Sequence, residues 1–466
     1  MVSVVWNLAR DMYVVLLVVF LIEQFPGADL LDENMRKVIV AITAVVVITK
    51  AVQMLTGSGG GRSPARSPNR QKKVEVGRVA TLEWASAEMQ GWRPAMEDAT
   101  RIVPSLAPPL QRHALFAVFD GHGGAEVSRI VAGAFPKVLA SCANSLEATR
   151  GEGGAGSGEE ADEEGGEEGD ETKEGASPAG AVERMRTLVG KALHNAMLHM
   201  DEVLREGGAC MVARGPKVIP PQLLRPGQLP EKKNAFDLVG STAVVALVEF
   251  GVEPGQDAPQ GCEGEEKEAE AAADATSAST AVDTAAAGRP QVGPRPLRIS
   301  VANCGDSRAI VCRGGLAVEL SEDHKPELEG EERRIVGAGG CVARVGPCHR
   351  IDRWGLNLSR ALGDFHYKAR ADLPPEAQKV VAVPEIRTLE LTAEDEFMVL
   401  ACDGIFELHT SQRVVHIVRS GLQAGLSVRQ VAADLVDRSC SPNLMKTCGK
   451  GGDNCSAIVV RLPAAS

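Results

Sequence analysis

Carboxylates recur in this sequence beside glycine, at the ends of apolar runs. Asp120 closes the run at 114–119 and is followed by Gly121-His122-Gly123-Gly124. Asp403 follows Phe397–Ala401 and precedes Gly404, while Asp453 follows Gly451-Gly452 and directly precedes Asn454 and a last apolar run. Glu97 and Asp98 are adjacent, just after Gly91-Trp92-Arg93-Pro94; Asp306 follows Gly305, and Asp364 follows Gly363. Hard cations such as Mg²⁺ or Mn²⁺ take oxygen ligands, and glycine lets a backbone carbonyl or a water come close. Two such ions about 3.5–4 Å apart can share a hydroxide that attacks phosphorus in line. Asp-Gly and Gly-Asp also simply mark turns, their commonest role, so spacing alone leaves open whether these acids converge.

The elements that must position them are short. Ala114–Phe119, Ala243–Glu249, Arg298–Ala302, Ala309–Cys312, Phe397–Ala401 and Ser456–Arg461 are apolar or β-branched runs bounded by Gly, Asp or Asn, and read as strands. Cys304-Gly305-Asp306-Ser307 lies midway between two of them, so Arg298–Cys312 reads as a hairpin with Asp306 in its turn. Val182–Leu204 carries apolar residues at 185, 188, 189, 193, 197 and 200, a helical stripe, and Gln412–Leu422 and Val428–Val436 also read as helices. Hairpin-connected strands with segregated helices predict an α+β fold.

The chain has 466 residues and a net charge of −12, which argues against a phosphate-tracking nucleic-acid surface. Its 11 cysteines show no C-x-x-C pair, as expected for a domain in a reducing compartment. Gly57–Pro68 is rich in Gly, Ser, Arg and Pro and predicts a linker over 57–72, placing the folded part at 73–463. Two low-complexity insertions interrupt it, a Gly/Glu/Asp-rich one at 151–178 and an Ala/Glu/Gly/Pro-rich one at 251–296. Neither has the apolar content to offset its ordering entropy.

The first 56 residues are a separate segment. Val2–Ile22 and Val38–Leu55 are largely apolar and near the roughly 20 residues that cross a bilayer. An acidic loop separates them, and Arg62, Arg66, Arg70, Lys72 and Lys73 follow, a bias that places later residues in the cytosol. Arg10 and Asp11 interrupt the first run and Lys50 lies near the end of the second, which leaves one or two spans open. A cleaved signal peptide fits less well, because its start lacks positive charge and a second apolar run follows. A pair of helices packed on the main domain is the bland alternative.

Taken in order, several blocks resemble the metal-dependent serine/threonine protein phosphatases of type 2C. They are Gly91-Trp92-Arg93-Pro94-Ala95-Met96-Glu97-Asp98, Phe116-Ala117-Val118-Phe119-Asp120-Gly121-His122-Gly123-Gly124, Gly240-Ser241-Thr242-Ala243, and Ala302-Asn303-Cys304-Gly305-Asp306-Ser307-Arg308. Asp323-His324-Lys325-Pro326, Leu358-Ser359-Arg360-Ala361-Leu362-Gly363-Asp364, Ala401-Cys402-Asp403-Gly404 and Gly452-Asp453-Asn454 complete the series. No block is specific alone; in this order they are. The resemblance implies two antiparallel sheets in a sandwich, with helices on both outer faces and the metals at one end.

It also implies roles. Asp120 would bridge two Mg²⁺ or Mn²⁺ ions, and the Gly121 carbonyl would bind one of them. Asp403 and Asp453 would complete one site; Glu97 would hold the other ion, with Asp98 behind it. Asp306 would help hold a weaker third ion, and Asp364 would be a further acid lining the site. Arg93 would bind the substrate phosphate, and His122 would protonate the departing seryl or threonyl oxygen. The chain departs from the family at Phe406-Glu407, where Trp-Asp is common, and at Arg344–Trp354, a longer and more basic version of the flap that helps choose substrates.

The resulting expectation is a phosphoserine/phosphothreonine protein phosphatase using a metal-bridging hydroxide. Its catalytic domain would be monomeric and tethered to a membrane on the cytosolic side, with phosphoproteins as substrates and no nucleic-acid partner. One rival is a cysteine phosphatase: Cys455 and Arg461 have C-x₅-R spacing, but the residues between them read as a strand without glycine. The other is a catalytically weak, membrane-tethered phosphoprotein-binding regulator, against which the retention of Asp120, Asp403 and Asp453 argues.

Overall fold

Strand β4 (His113–Phe119) is buried along its whole length, because both of its faces are covered. Ala114, Phe116 and Val118 point one way, and Leu115, Ala117 and Phe119 the other, as the two-residue period of a strand requires. The first set packs between two sheets. It joins Val244, Val301 and their neighbours with Leu82, Val311, Leu400 and Ile458 from the facing sheet. The second set packs under two helices, α1 (Glu126–Glu152) and α2 (Pro178–Arg214), against Val127, Phe135, Leu193 and Met197.

The computed structural model describes residues 67–152, 178–214, 234–251 and 295–463. Its central five-stranded antiparallel sheet has the order β14 (Glu385–Glu390), β8 (Pro296–Cys304), β7 (Ala243–Phe250), β4 and β3 (Ala99–Val103). The facing six-stranded sheet runs β1 (Asn69–Val79), β2 (Leu82–Gly91), β16 (Cys455–Arg461), β15 (Asp395–Ala401), β9 (Arg308–Arg313) and β10 (Leu316–Glu319). Its outer face packs Ala87, Val399 and Val459 against Val414, Val418, Val431 and Leu435 of two further helices. Thr410 caps the first of these by accepting from the Arg413 amide, and Ser427 with Gln430 forms a capping box on the second. The result is the expected α+β sandwich with helices on both outer faces.

A small sheet of β13 (Leu362–Gly363), β6 (Gly240–Ser241) and β5 (Gly121–His122) closes one end of the sandwich. Near it lie α3 (Glu329–Gly337) and a separate hairpin, β11 (Val342–Val345) with β12 (Cys348–Ile351). The remaining helices are α4 (Asp403–Phe406), α5 (Ser411–Gln423) and α6 (Val428–Ser439).

The structure corrects two local readings. Arg298–Cys312 is not a hairpin: β8 pairs with β7 and β14, whereas β9 pairs with β15 and β10. Each strand is interior to its own sheet and has no free edge for the other. The Cys304–Ser307 turn therefore crosses between sheets, with Gly305 at φ +119°, and carries Asp306 to the end of the sandwich. Strand β1 begins at Asn69, inside the stretch expected as linker, because Lys72–Arg78 pairs along β2. The insertions at 151–178 and 251–296 fall almost wholly outside the described residues. So do the apolar segments 2–22 and 38–55; among the described residues no helix is long and apolar enough to cross a membrane.

Candidate active site

Strand ends and interstrand turns at one end of the sandwich surround a cleft of about 380 Å³. Arg93, Glu97, Asp120, Gly121, His122, Asp306, Asp403 and Asp453 all line it, together with Thr242, Glu407 and Asn454. Asp120 follows β4 directly, and its backbone is fixed on both sides by Thr242. The Thr242 hydroxyl accepts from the Asp120 amide at 3.2 Å, and the Thr242 amide donates to the Asp120 carbonyl at 2.9 Å. Gly121 has no room for a side chain, since a Cβ there would run into the Glu97 carbonyl. That approach is what brings the 91–98 loop against β5.

Asn454 ties the same loop to the last strand. Its carbonyl oxygen accepts from the Glu97 amide at 2.9 Å, and its amide group donates to the carbonyls of Gln90 and Ala95. Asp453, beside it, holds Arg93 through an ion pair at 2.5 Å. Arg93 is thereby positioned over the acids while more than half its side chain stays open to solvent. Asp306 pairs with Lys325, whose ammonium is held above its ordinary range: burial works against the charge, and the Asp306 carboxylate outweighs it.

The acids repel one another. Burial first, and then the carboxylates of Asp98, Asp403, Asp453 and Asp306, push Asp120 well above the usual range. Burial and its neighbours Asp306, Asp453 and Glu407 do the same to Asp403. Asp98 lies behind the cleft and is 5% exposed. Its Oδ2 accepts from the Ser456 hydroxyl at 2.7 Å, while its Oδ1 has no hydrogen-bond partner. Burial, reinforced by Asp453, raises it to about 7. Carboxylate oxygens of Asp403, Glu407 and Asp453 all lie within 4.8 Å of one another. Such a set of crowded oxygens with an orphaned buried carboxylate oxygen behind it fits hard divalent cations, whose charge removes the repulsion.

His122 and Asp364 form a pair. The His122 Nε2 is 2.7 Å from the Asp364 Oδ2. Burial alone would lower the imidazole; the Asp364 carboxylate, with Asp306 and Glu97 farther off, overcomes this and raises it. Asp364, expected to line the site among the metal-facing acids, instead sits behind the histidine, 1% exposed. The contact crosses Gly240, where a Cβ would collide with both groups.

Three further residues belong to the site. Glu407, noted only as a departure that keeps an acid, joins Asp403 and Asp453; a helical spacing of four from Asp403 was the available signal. Thr242 and Asn454 stood inside the quoted blocks without a role. The hairpin of β11 and β12 places Cys348 and Arg350 on the cleft rim, within the segment expected as flap. Trp354, beyond it, is 82% exposed. The rival nucleophile is excluded: Cys455 is buried at the start of β16, burial pushes its thiol well above its ordinary value, and the chain to Arg461 is extended. A phosphate cradle needs a loop of amides there, and a strand inside a sheet has none to spare.

A family model described as "Protein phosphatase 2C" matches residues 82–196 and 261–448. Over 417 residues the chain is 31% identical to "Probable protein phosphatase 2C 11" of Oryza sativa subsp. japonica, covering 85% of this chain and 89% of that protein. A 161-residue stretch, 34% of the chain, is 47% identical to "Probable protein phosphatase CG10417" of Drosophila melanogaster and covers 24% of it. Among solved structures, that of a serine-threonine phosphatase 2C from Toxoplasma gondii aligns with a TM-score of 0.54 at 19% identity, over 84% of this chain and 99% of that one. At that identity the likeness speaks for the fold alone.

Proposed function

The chain belongs to the protein phosphatase 2C family and is a protein phosphatase, and from that premise we propose that it hydrolyses phosphoserine and phosphothreonine in proteins with the aid of Mg²⁺ or Mn²⁺. The observation that carries this reading is convergence. Four separate stretches of chain, ending in Glu97, Asp120, Asp403 and Asp453, put their carboxylates around one cleft with Arg93 and His122.

Asp120 and the Gly121 carbonyl would hold the ions jointly, with Glu97 on one side and Asp403 and Asp453 on the other. Asp306 would help hold a weaker third, and Glu407, grouped with Asp403 and Asp453, would add an oxygen beside them. When bound, the ions supply the hydroxide that attacks phosphorus in line and offset charge on the phosphoryl oxygens. Arg93 offers a guanidinium fork to those oxygens, pre-set by its pairing with Asp453. His122 donates a proton to the departing seryl or threonyl oxygen. Its Nε2 is engaged by Asp364, which leaves Nδ1 as the atom to give the proton, and the Asp364 carboxylate favours the protonated ring and orients it. Phosphoproteins are the substrates on this reading, with Arg350 and Cys348 of the β11–β12 hairpin at the rim where a peptide enters.

The apolar segments 2–22 and 38–55, with the basic residues that follow, support a membrane tether with the catalytic domain in the cytosol. The test of the activity is direct: turnover of a phosphothreonine peptide by the full chain with added Mn²⁺, and its loss in excess chelator. Full turnover in chelator would overturn the metal-assisted reading.

A further inference from the structure

The strand that carries Asp364 to His122 is only two residues long, and it is the edge of its sheet. β13 pairs with β6 through Leu362 and Gly363, and β6 pairs with β5 through Gly240 and His122. His122 and Gly363 thus share Gly240 as a common neighbour. Gly363 is at φ +80° and Asp364 at φ +52°, left-handed conformations that an aspartate keeps only where its surroundings over-determine it. An edge strand also leaves backbone groups without partners from a neighbouring strand.

Here a buried ion pair takes those groups. The Asp201 Oδ1, from the middle of α2, accepts from the Gly363 amide at 2.8 Å and from the Lys368 ammonium at 2.7 Å. The same ammonium donates to the Ala361 carbonyl at 2.8 Å. Both residues are buried, Lys368 to 5% and Asp201 to 9% exposure, and neither lines the catalytic cleft. A buried pair is costly unless its remaining groups are satisfied, and β13 satisfies them. Backbone bonds of the next residues reinforce the grip: Asp364 donates to Val239, Phe365 to Phe236 and His366 to Asp237.

We propose that Asp201 and Lys368 are positioning residues for the reaction: together they act as the missing neighbour strand of β13 and hold Asp364 in register with His122. This rests on His122 being the proton donor. Misplacing a catalytic group by about 1 Å can cost as much as 10²-fold, so loosening the clamp should cost roughly 10-fold in one step only. That step is departure of a poor leaving group. Arg93 and the carboxylates of the cleft touch neither clamp residue in the described structure, so attack on phosphorus should be spared.

The experiment compares Asp201→Asn and the charge-neutral double variant Asp201→Asn/Lys368→Met with the parent, each as the full chain and checked for folding by circular dichroism. The double variant guards against an unpaired buried ammonium unfolding the single one. Expected are a roughly 10-fold fall in kcat on a phosphoserine peptide with KM within about twofold, and less than about twofold loss on 4-nitrophenyl phosphate, whose leaving group needs no proton. The second readout is the downfield proton resonance of the His122 Nε2–H bond to Asp364, assigned by its disappearance in His122→Ala and recorded without metal. It should shift or broaden in both variants. An unmoved resonance in a folded variant overturns the clamp, as do equal losses on both substrates when His122→Ala itself shows the selective loss. If His122→Ala is unselective, the proton-donor assignment falls, and the resonance alone decides the clamp.

Discussion

Removing the metal should make this protein less stable as the pH rises toward neutrality, the reverse of the usual trend for a carboxylate-rich domain. Asp98 shows why. Its carboxyl is buried and faces Asp453; hydrogen bonds, that of the Ser456 hydroxyl foremost, do not offset this, and it is raised to about 7 from an ordinary 3.8. A raised acid leaves folding stability intact below pH 4 and withdraws it as pH climbs through 7, because the folded state binds the extra proton. Raising the carboxyl from 3.8 to about 7, at 1.36 kcal/mol per tenfold in proton affinity, corresponds to about 4 kcal/mol. Between pH 5 and 7 Asp98 alone should remove about 2 kcal/mol, or roughly 5 °C in Tm. Asp120 and Asp403 are displaced in the same direction and add to the slope. Saturating Mg²⁺ should flatten it, since an ion at 100 times its Kd contributes about 2.7 kcal/mol and acts through the ionised acids. The assay is thermal unfolding by circular dichroism from pH 5 to 8, with chelator and with Mg²⁺. Asp98→Asn keeps an oxygen for Ser456 and should flatten the metal-free slope by one proton's share. A metal-free Tm that is level or rising over this range, or a slope untouched by Asp98→Asn, would refute the reasoning.

Asp120→Asn and Asp403→Asn should each lower turnover by at least about 10²-fold and weaken Mn²⁺ binding in calorimetry while the fold survives; near-parental turnover at ordinary metal concentrations contradicts their assignment. His122→Ala should lower kcat on a phosphoserine peptide by about 10²-fold and on 4-nitrophenyl phosphate by far less, so equal losses would remove it from the acid role. Full-length protein should stay with membranes through carbonate extraction and a chain lacking residues 1–56 should be soluble; carbonate release of the full chain would rule out spanning.

What the sequence discloses and withholds follows from how local each determinant is. β4, β7 and β16 are legible because a strand covered on both faces is an unbroken apolar run, and a polar residue must end it. Asp120, Asp403 and Asp453 are legible for the same reason, each being an acid where such a run stops or starts. Helix α1 is harder to read, since Pro136 sits inside it and an interior proline argues against a helix. Which sheet a strand joins is not local at all: the Gly305-Asp306 turn looks the same whether it closes a hairpin or, as here, crosses between sheets. Asp364 is the sharpest instance. It follows a glycine just as Asp306 does, yet one faces the cleft and the other backs His122. The difference lies in residues far along the chain: Gly240, whose missing side chain admits the contact, and Asp201, which holds the edge of β13. An acid beside a glycine is therefore a statement about backbone freedom. Whether it becomes a metal ligand or the orienter of a proton donor is decided by what the sandwich sets opposite it.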